Sequence, residues 1–229
     1  MPVQPELLES DPDNKLLARG PRQRLTAEQL RDSVLALSGL LSDTMEGEPT
    51  KPYQPAGLWE EAGTQHEYKQ DHGENLFRRS LYTFWRRTLP PPSMTVFDAP
   101  TREFCKARRD RSASPLQPLV LFDDPQFVEA ARVFAEKLVR QQPKDDTART
   151  RTMFRMMTCK EASDWQVETL VKLLAEERAH FKAEPAEARA LCHEIGEARV
   201  DESLDPVEVA ANTMLVRALF GYDEFVMKP

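Results

Sequence analysis

Glycine is scarce, with 8 in 229 residues, and no Gly-x-Ser-x-Gly, P-loop or Gly-x-Gly-x-x-Gly pattern occurs. That excludes the glycine-dependent nucleophile elbow and the common phosphate cradles. Cysteine is scarcer: three residues, Cys105, Cys159 and Cys192, with no Cys-x-x-Cys pair among them. A zinc ribbon or a thioredoxin-type pair therefore has no local framework. The c-type haem signature is missing too, because Arg189 stands where Cys192-His193 would need its first cysteine. The scattered thiols read as small buried hydrophobes, with a single disulfide left open. No apolar run approaches the roughly 20 residues of a membrane span. The opening MPVQPELLESDPDN lacks the basic-then-apolar order of a signal peptide. A net charge of −7 argues against a general nucleic-acid binder.

What the chain does have is proline, 18 residues, with 40% hydrophobic and 30% charged side chains, a globular balance. Residues 1–25, with Pro2, Pro5, Pro12 and Pro21, read as irregular. Residues 26–229 read as one mainly α domain: a bundle of orthogonal helices around a proline-rich irregular middle, with at most a small β element. Thr26 and Gln29 form a capping box, and Leu30, Val34, Leu37 and Leu41 follow at helical spacing, which predicts a helix over 26–42. Residues 43–114 read as a long loop and an Arg/Pro-rich middle, in which 57–62 can form a short helix. LFRRSLYTFWRRT at 76–88 leans towards an extended segment because of its aromatic density, and Pro90–Pro92 towards polyproline. From 115 onward the chain reads as helical. Leu116, Leu119, Val120 and Phe122 mark a short buried helix. Asp124-Pro125 opens a helix to Arg140. Helices at 146–158 and 164–182 follow, then one from Pro185 to near Gly196 and a last from Pro206 to Phe220.

One charge anomaly stands out. Residues 76–112 hold nine basic side chains against three acids, a net +6 in an acidic chain. Eight of the nine are Arg, whose planar fork binds carboxylate, sulfate or phosphate in bidentate fashion. Arg78, Arg79, Arg86, Arg87, Arg108, Arg109 and Arg111 are thus candidates for an anion site. The alternative is internal ion pairing with the acidic helices. Other polar candidates are fewer. His66 and His72 in HEYKQDH would lie about 240° apart on a helix, unlike the stacked pair of HExxH, so the stretch reads as a solvated loop and no metal is expected. Asp98, Asp123 and Asp124, in FDAP and FDDP, could serve as paired carboxylates, but their prolines favour turn and cap duties. Met153, Phe154, Met156 and Met157 read as core, and no cofactor is implied.

The run RRSLYTFWRRTLPPPSMTVFDAPTREFCKARRDRSASPLQPLVLFDDPQFVEAARVFAEKL resembles the planctomycete-type C-terminal domain of domain-of-unknown-function family 1553. NKLLARGPRQRLTAEQLRDSVLALSGLL, YQPAGLWEE and the closing LVRALFGYDEFVMKP extend the likeness. Where members often carry Leu-Asn-Asp-Pro, this chain has Phe122-Asp123-Asp124-Pro125, a more acidic turn. The resemblance implies the C-terminal part of a larger extracytoplasmic protein with cytochrome c-like companion domains. A stand-alone product would instead be cytoplasmic. It brings no assigned catalytic residues. Three functions are then open: a non-catalytic module docking on other domains or subunits, a module binding acidic or sulfated polysaccharide through 76–112, and a polysaccharide hydrolase using Asp98, Asp123 or His72.

Overall fold

The computed structural model describes residues 5–228 apart from 19, 21–22, 64–66 and 143. The fold is mainly α. Helix α1 (Pro5–Ser10) lies in the segment expected to be irregular, and β1 (Gln23–Arg24) follows it. Helix α2 (Ala27–Ser38) starts at the Thr26/Gln29 capping box, with both reciprocal bonds formed. It ends earlier than the 26–42 expectation. Gly39 takes φ 88 and returns its N–H to the carbonyls of Leu35 and Ala36, and this left-handed glycine cap outweighs the apolar spacing that runs on to Leu41.

The middle is more structured than its composition suggests. Helix α3 (Leu58–Glu61) is short, and 73–82 forms two 3₁₀ turns, Gly73–Phe77 and Ser80–Tyr82, instead of an extended run. Among the described residues there, only isolated bridges are strand-like, Ser42 to Arg78, Thr50 to Thr83 and Arg86 to Leu89. Helix α4 (Pro92–Val96) begins inside the proline triplet, because Pro at the first helical position loses no hydrogen bond. Helix α5 (Leu116–Asp123) forms as expected but turns the other way. Gln117 and Leu121 are buried, while Leu116 and Leu119 are 57% and 54% exposed.

Helices α6 (Pro125–Gln141), α7 (Asp146–Thr158), α8 (Asp164–Ala183), α9 (Pro185–His193) and α10 (Pro206–Phe220) build the bundle. Asp124, Asp145, Ser163 and Asp205 cap four of them by accepting backbone N–H bonds. The chain continues past Phe220 into α11 (Asp223–Val226) and β2 (Met227–Lys228), which pairs antiparallel with β1. This two-residue pair is the only sheet among the described residues. The main core joins Leu30 and Val34 of α2, Phe134 and Leu138 of α6, Met153 and Phe154 of α7, Leu174 of α8, and Leu215 and Phe220 of α10. Among the described residues, no helix is long and apolar enough to cross a membrane.

Candidate anion-binding pocket

The basic stretch divides into three groups. Arg78 is buried: its guanidinium donates to the carbonyls of Glu46 and Glu48 and lies over the Tyr82 ring. Arg86 donates to Thr88 Oγ1 and lies over Trp59, 4.9 Å from the ring centroid. Both hold the middle segment together, through carbonyls, a hydroxyl and aromatic rings instead of the expected ion pairs with the acidic helices. Arg79 and Arg87 are exposed, and their side chains have no ion pair or hydrogen bond among the described residues. Arg108, Arg109 and Arg111 form the third group, and these three converge.

They share a cavity of about 170 Å³ with Arg24, Asp98, Asp110, Ser112 and Gln117 over an apolar floor of Leu25, Leu30, Phe97 and Val226. The floor exists because the two chain ends meet there: Leu25 N–H donates to the Val226 carbonyl at 2.9 Å beside the β1–β2 pair. Its walls are fastened by Gln117, which is 2% exposed. Gln117 Nε2 donates to Val96 O at 3.0 Å and Ser112 O at 3.3 Å, and its Oε1 accepts from Arg24 at 3.1 Å. Phe97, in the floor, also packs against the Ala27, Met94 and Ala99 cluster, as does Trp85, which carries Arg102 over its ring at 4.7 Å.

The lining carboxylates already have partners. Asp98, in the left-handed conformation at φ 58, accepts from Ser112 N at 2.6 Å and Ser112 Oγ at 2.9 Å. Asp110 accepts from Lys106 at 2.7 Å, which holds its carboxyl below the usual range. Arg109 pairs with Glu28 at 2.7 Å, and Arg24 also lies 3.6 Å from Asp223. Arg108 and Arg111 are exposed and have no side-chain partner among the described residues. The pocket thus presents two uncommitted guanidinium groups above a hydrophobic floor.

The remaining candidates lie elsewhere, each with its own partner. Asp123 pairs with Arg217 at 3.1 Å, and Arg217 also donates to Phe122 O and covers the Phe122 ring. Asp124 caps α6 through Gln126 N at 3.0 Å, and burial pushes its carboxyl up to about 6. His72 Nδ1 lies 2.6 Å from a Glu197 oxygen. His66 lies outside the described residues. Among the described residues no group of three His, Cys, Asp or Glu could hold a metal ion. Met153, Phe154 and Met157 are buried in the core. The cysteine expectation needs correcting. All three are free, Cys192 alone is buried, and Cys105 and Cys159 are exposed, because one sits in the open 101–114 loop and the other in the left-handed C-cap of α7.

Sequence reasoning missed a second polar cluster. Glu129 of α6 is fully buried, and one carboxylate oxygen accepts from Glu197 N and Ala198 N while the other accepts from Tyr53 at 3.0 Å. Burial raises the carboxyl despite those donors, and burial together with Glu129 raises the Tyr53 phenol. This clasp ties the 43–73 connection and the loop after α9 to α6. Glu129 lies on one face of α6 with Arg132 and Glu136, all three buried, but in sequence such a charged i, i+3, i+7 stripe reads as the solvated face of an amphipathic helix. Arg24 and Gln117 escaped because the bond that joins them spans 93 positions of the chain.

No curated protein and no solved structure matches the chain. The model of a family described as protein of unknown function (DUF1553) matches residues 1–174, a span that includes every residue lining the pocket except Val226. The chain is a member of that DUF1553 family.

Proposed function

We propose that this chain is a binding domain without catalytic chemistry of its own, which recognises an anionic group at the Arg24/Arg108/Arg109/Arg111 pocket. The observation that carries the reading is the pair of uncommitted guanidinium groups, Arg108 and Arg111, on a cavity whose carboxylates are already engaged, Asp98 with Ser112 and Asp110 with Lys106. An unpaired arginine pair beside a low-dielectric floor attracts oxyanions more strongly than the same charges in open water. The non-catalytic part rests on Asp98, Asp123, Asp124 and His72, each engaged with a separate partner instead of facing another across a cleft.

Two measurements test this. Retention on a sulfonate ion-exchange resin across a salt series should be lost in a folded Arg108→Ala/Arg111→Ala variant. Sodium sulfate at constant ionic strength should shift backbone amide resonances at 108–112. A wild-type chain that is neither retained nor shifted refutes the reading.

Docking on another domain is a second reading, favoured by Leu116 and Leu119, which stand three apart on α5 and are more than half exposed. Leu116→Ser/Leu119→Ser should then leave stability within about 0.5 kcal/mol while weakening association with a companion domain.

A further inference from the structure

Resting on that anion-site reading, we infer that the ligand is a small amphiphilic monoanion, a carboxylate or sulfonate head on a compact apolar body, and not a polysaccharide chain. The lining favours it. Leu25, Leu30, Phe97 and Val226 give the cavity an apolar side that a compact hydrocarbon body can cover and that a bare phosphate or sulfate leaves unused. The size agrees. A cavity near 170 Å³ matches one six-membered ring, since about 150 Å³ of apolar space accommodates benzene. It is below the usual range for larger cofactors, which begins at roughly 300 Å³.

The charge count points the same way. Among the pocket arginines, Arg108 and Arg111 are the two without a side-chain partner among the described residues, enough for one head group held by two forks. Arg109 is held by Glu28, and Arg24 by Gln117 and Asp223. A polyanion would need the basic stretch to continue as a track, yet Arg78 and Arg86 face backbone carbonyls and aromatic rings, and Arg79 and Arg87 do not line the cavity.

The experiment is a titration of the full chain, followed by amide chemical shifts, with phenylacetate, benzenesulfonate, acetate, benzyl alcohol and a heparin oligosaccharide. Phenylacetate should bind at least about tenfold more tightly than acetate, because its ring covers the floor, and more tightly than neutral benzyl alcohol. Arg108→Ala and Arg111→Ala, both on exposed side chains, should each weaken phenylacetate about tenfold or more. Leu25→Thr should reduce the preference for phenylacetate over acetate. Shifts should centre on Leu25, Thr26, Ser112 and Gln117. Heparin binding without phenylacetate binding overturns the ligand class and leaves the anion site standing. Phenylacetate binding that survives both arginine substitutions overturns the assignment to this pocket. No response to any anion removes both.

Discussion

Gly196 carries a constraint that neither its loop nor its neighbours in sequence announce. Its φ is 85, and a Cβ there would lie 2.3 Å from Glu129 Cδ. Gly39 has nearly the same φ, 88, but nothing within 4 Å of a Cβ. The pair separates backbone strain from collision. Gly39→Ala should cost about 1 kcal/mol, the ordinary penalty of a left-handed alanine. Gly196→Ala should cost about 3 kcal/mol or more, because the buried carboxylate must shift and lose its amide donors as well. Urea unfolding of the two variants checks this, and equal losses would mean that Glu129 yields freely. Asp124 offers a second test at this scale. Its pKa is raised from 3.8 to about 6 by burial, so the folded state binds the proton more tightly than the unfolded chain. Its contribution is therefore most favourable below pH 4, is lost as pH rises from about 4 to 6, and is constant above. Asp124→Asn keeps an oxygen to accept from Gln126 N but does not titrate. Relative to wild type it should gain about 2–3 kcal/mol between pH 4 and pH 7. Denaturant midpoints at the two pH values decide it, and a constant difference would contradict the buried-carboxyl account.

At the scale of elements, the segment 73–84 shows how a chain without regular secondary structure is held. Arg31, buried on α2, donates to Leu76 O at 2.9 Å, Arg78 O at 2.7 Å, Ser80 Oγ at 3.2 Å and Gln126 Oε1 at 2.7 Å. Burial draws its pKa down to about 10, so it remains charged. Arg31→Met keeps much of the volume and removes every donor, leaving the carbonyls unpaired at a cost of about 3–5 kcal/mol. Hydrogen exchange at Thr50 and Phe84, whose amides bridge 50 and 82–84, should accelerate more than exchange at Leu215 in α10. Unchanged protection at Thr50 and Phe84 would mean that the 3₁₀ turns hold themselves. The sequence shows the helix starts here because caps are local chemistry: Thr26, Asp124, Ser163 and Asp205 each bond within three residues. It does not show which face of α5 is buried, since Leu121 and Gln117 are chosen by partners on α6 and by Arg24 and Val96. The basic stretch is legible as composition, yet Arg78 and Arg108 look alike until the carbonyls of Glu46 and Glu48 come round to meet one of them.

At the scale of the molecule, the family match and the fold have different boundaries. The match ends at residue 174, inside α8, whereas the core does not close there. Helix α10 supplies Ala210, Ala211, Leu215, Val216, Leu219 and Phe220, all buried in the same cluster as Leu30, Phe134 and Met153. Its Asn212 accepts from buried Arg149 at 2.9 Å, and its Glu208 pairs with Arg178 of α8, which also binds Asp146 of α7. Val226, past that helix, completes the pocket floor. Removing residues 175–229 would therefore uncover the apolar faces of α2, α6 and α7 together, take Asn212 from the buried Arg149 and open the cavity. Each fully buried Leu or Phe lost is worth about 2 kcal/mol, and several are lost at once against a total stability of about 5–15 kcal/mol. A chain of residues 1–174 should consequently bind a hydrophobic dye, lose near-ultraviolet circular dichroism and show no cooperative thermal transition, while the 229-residue chain unfolds in one step. A cooperative transition in 1–174 would establish instead that the matched span is a folding unit by itself and that α10 is an addition to a core already complete.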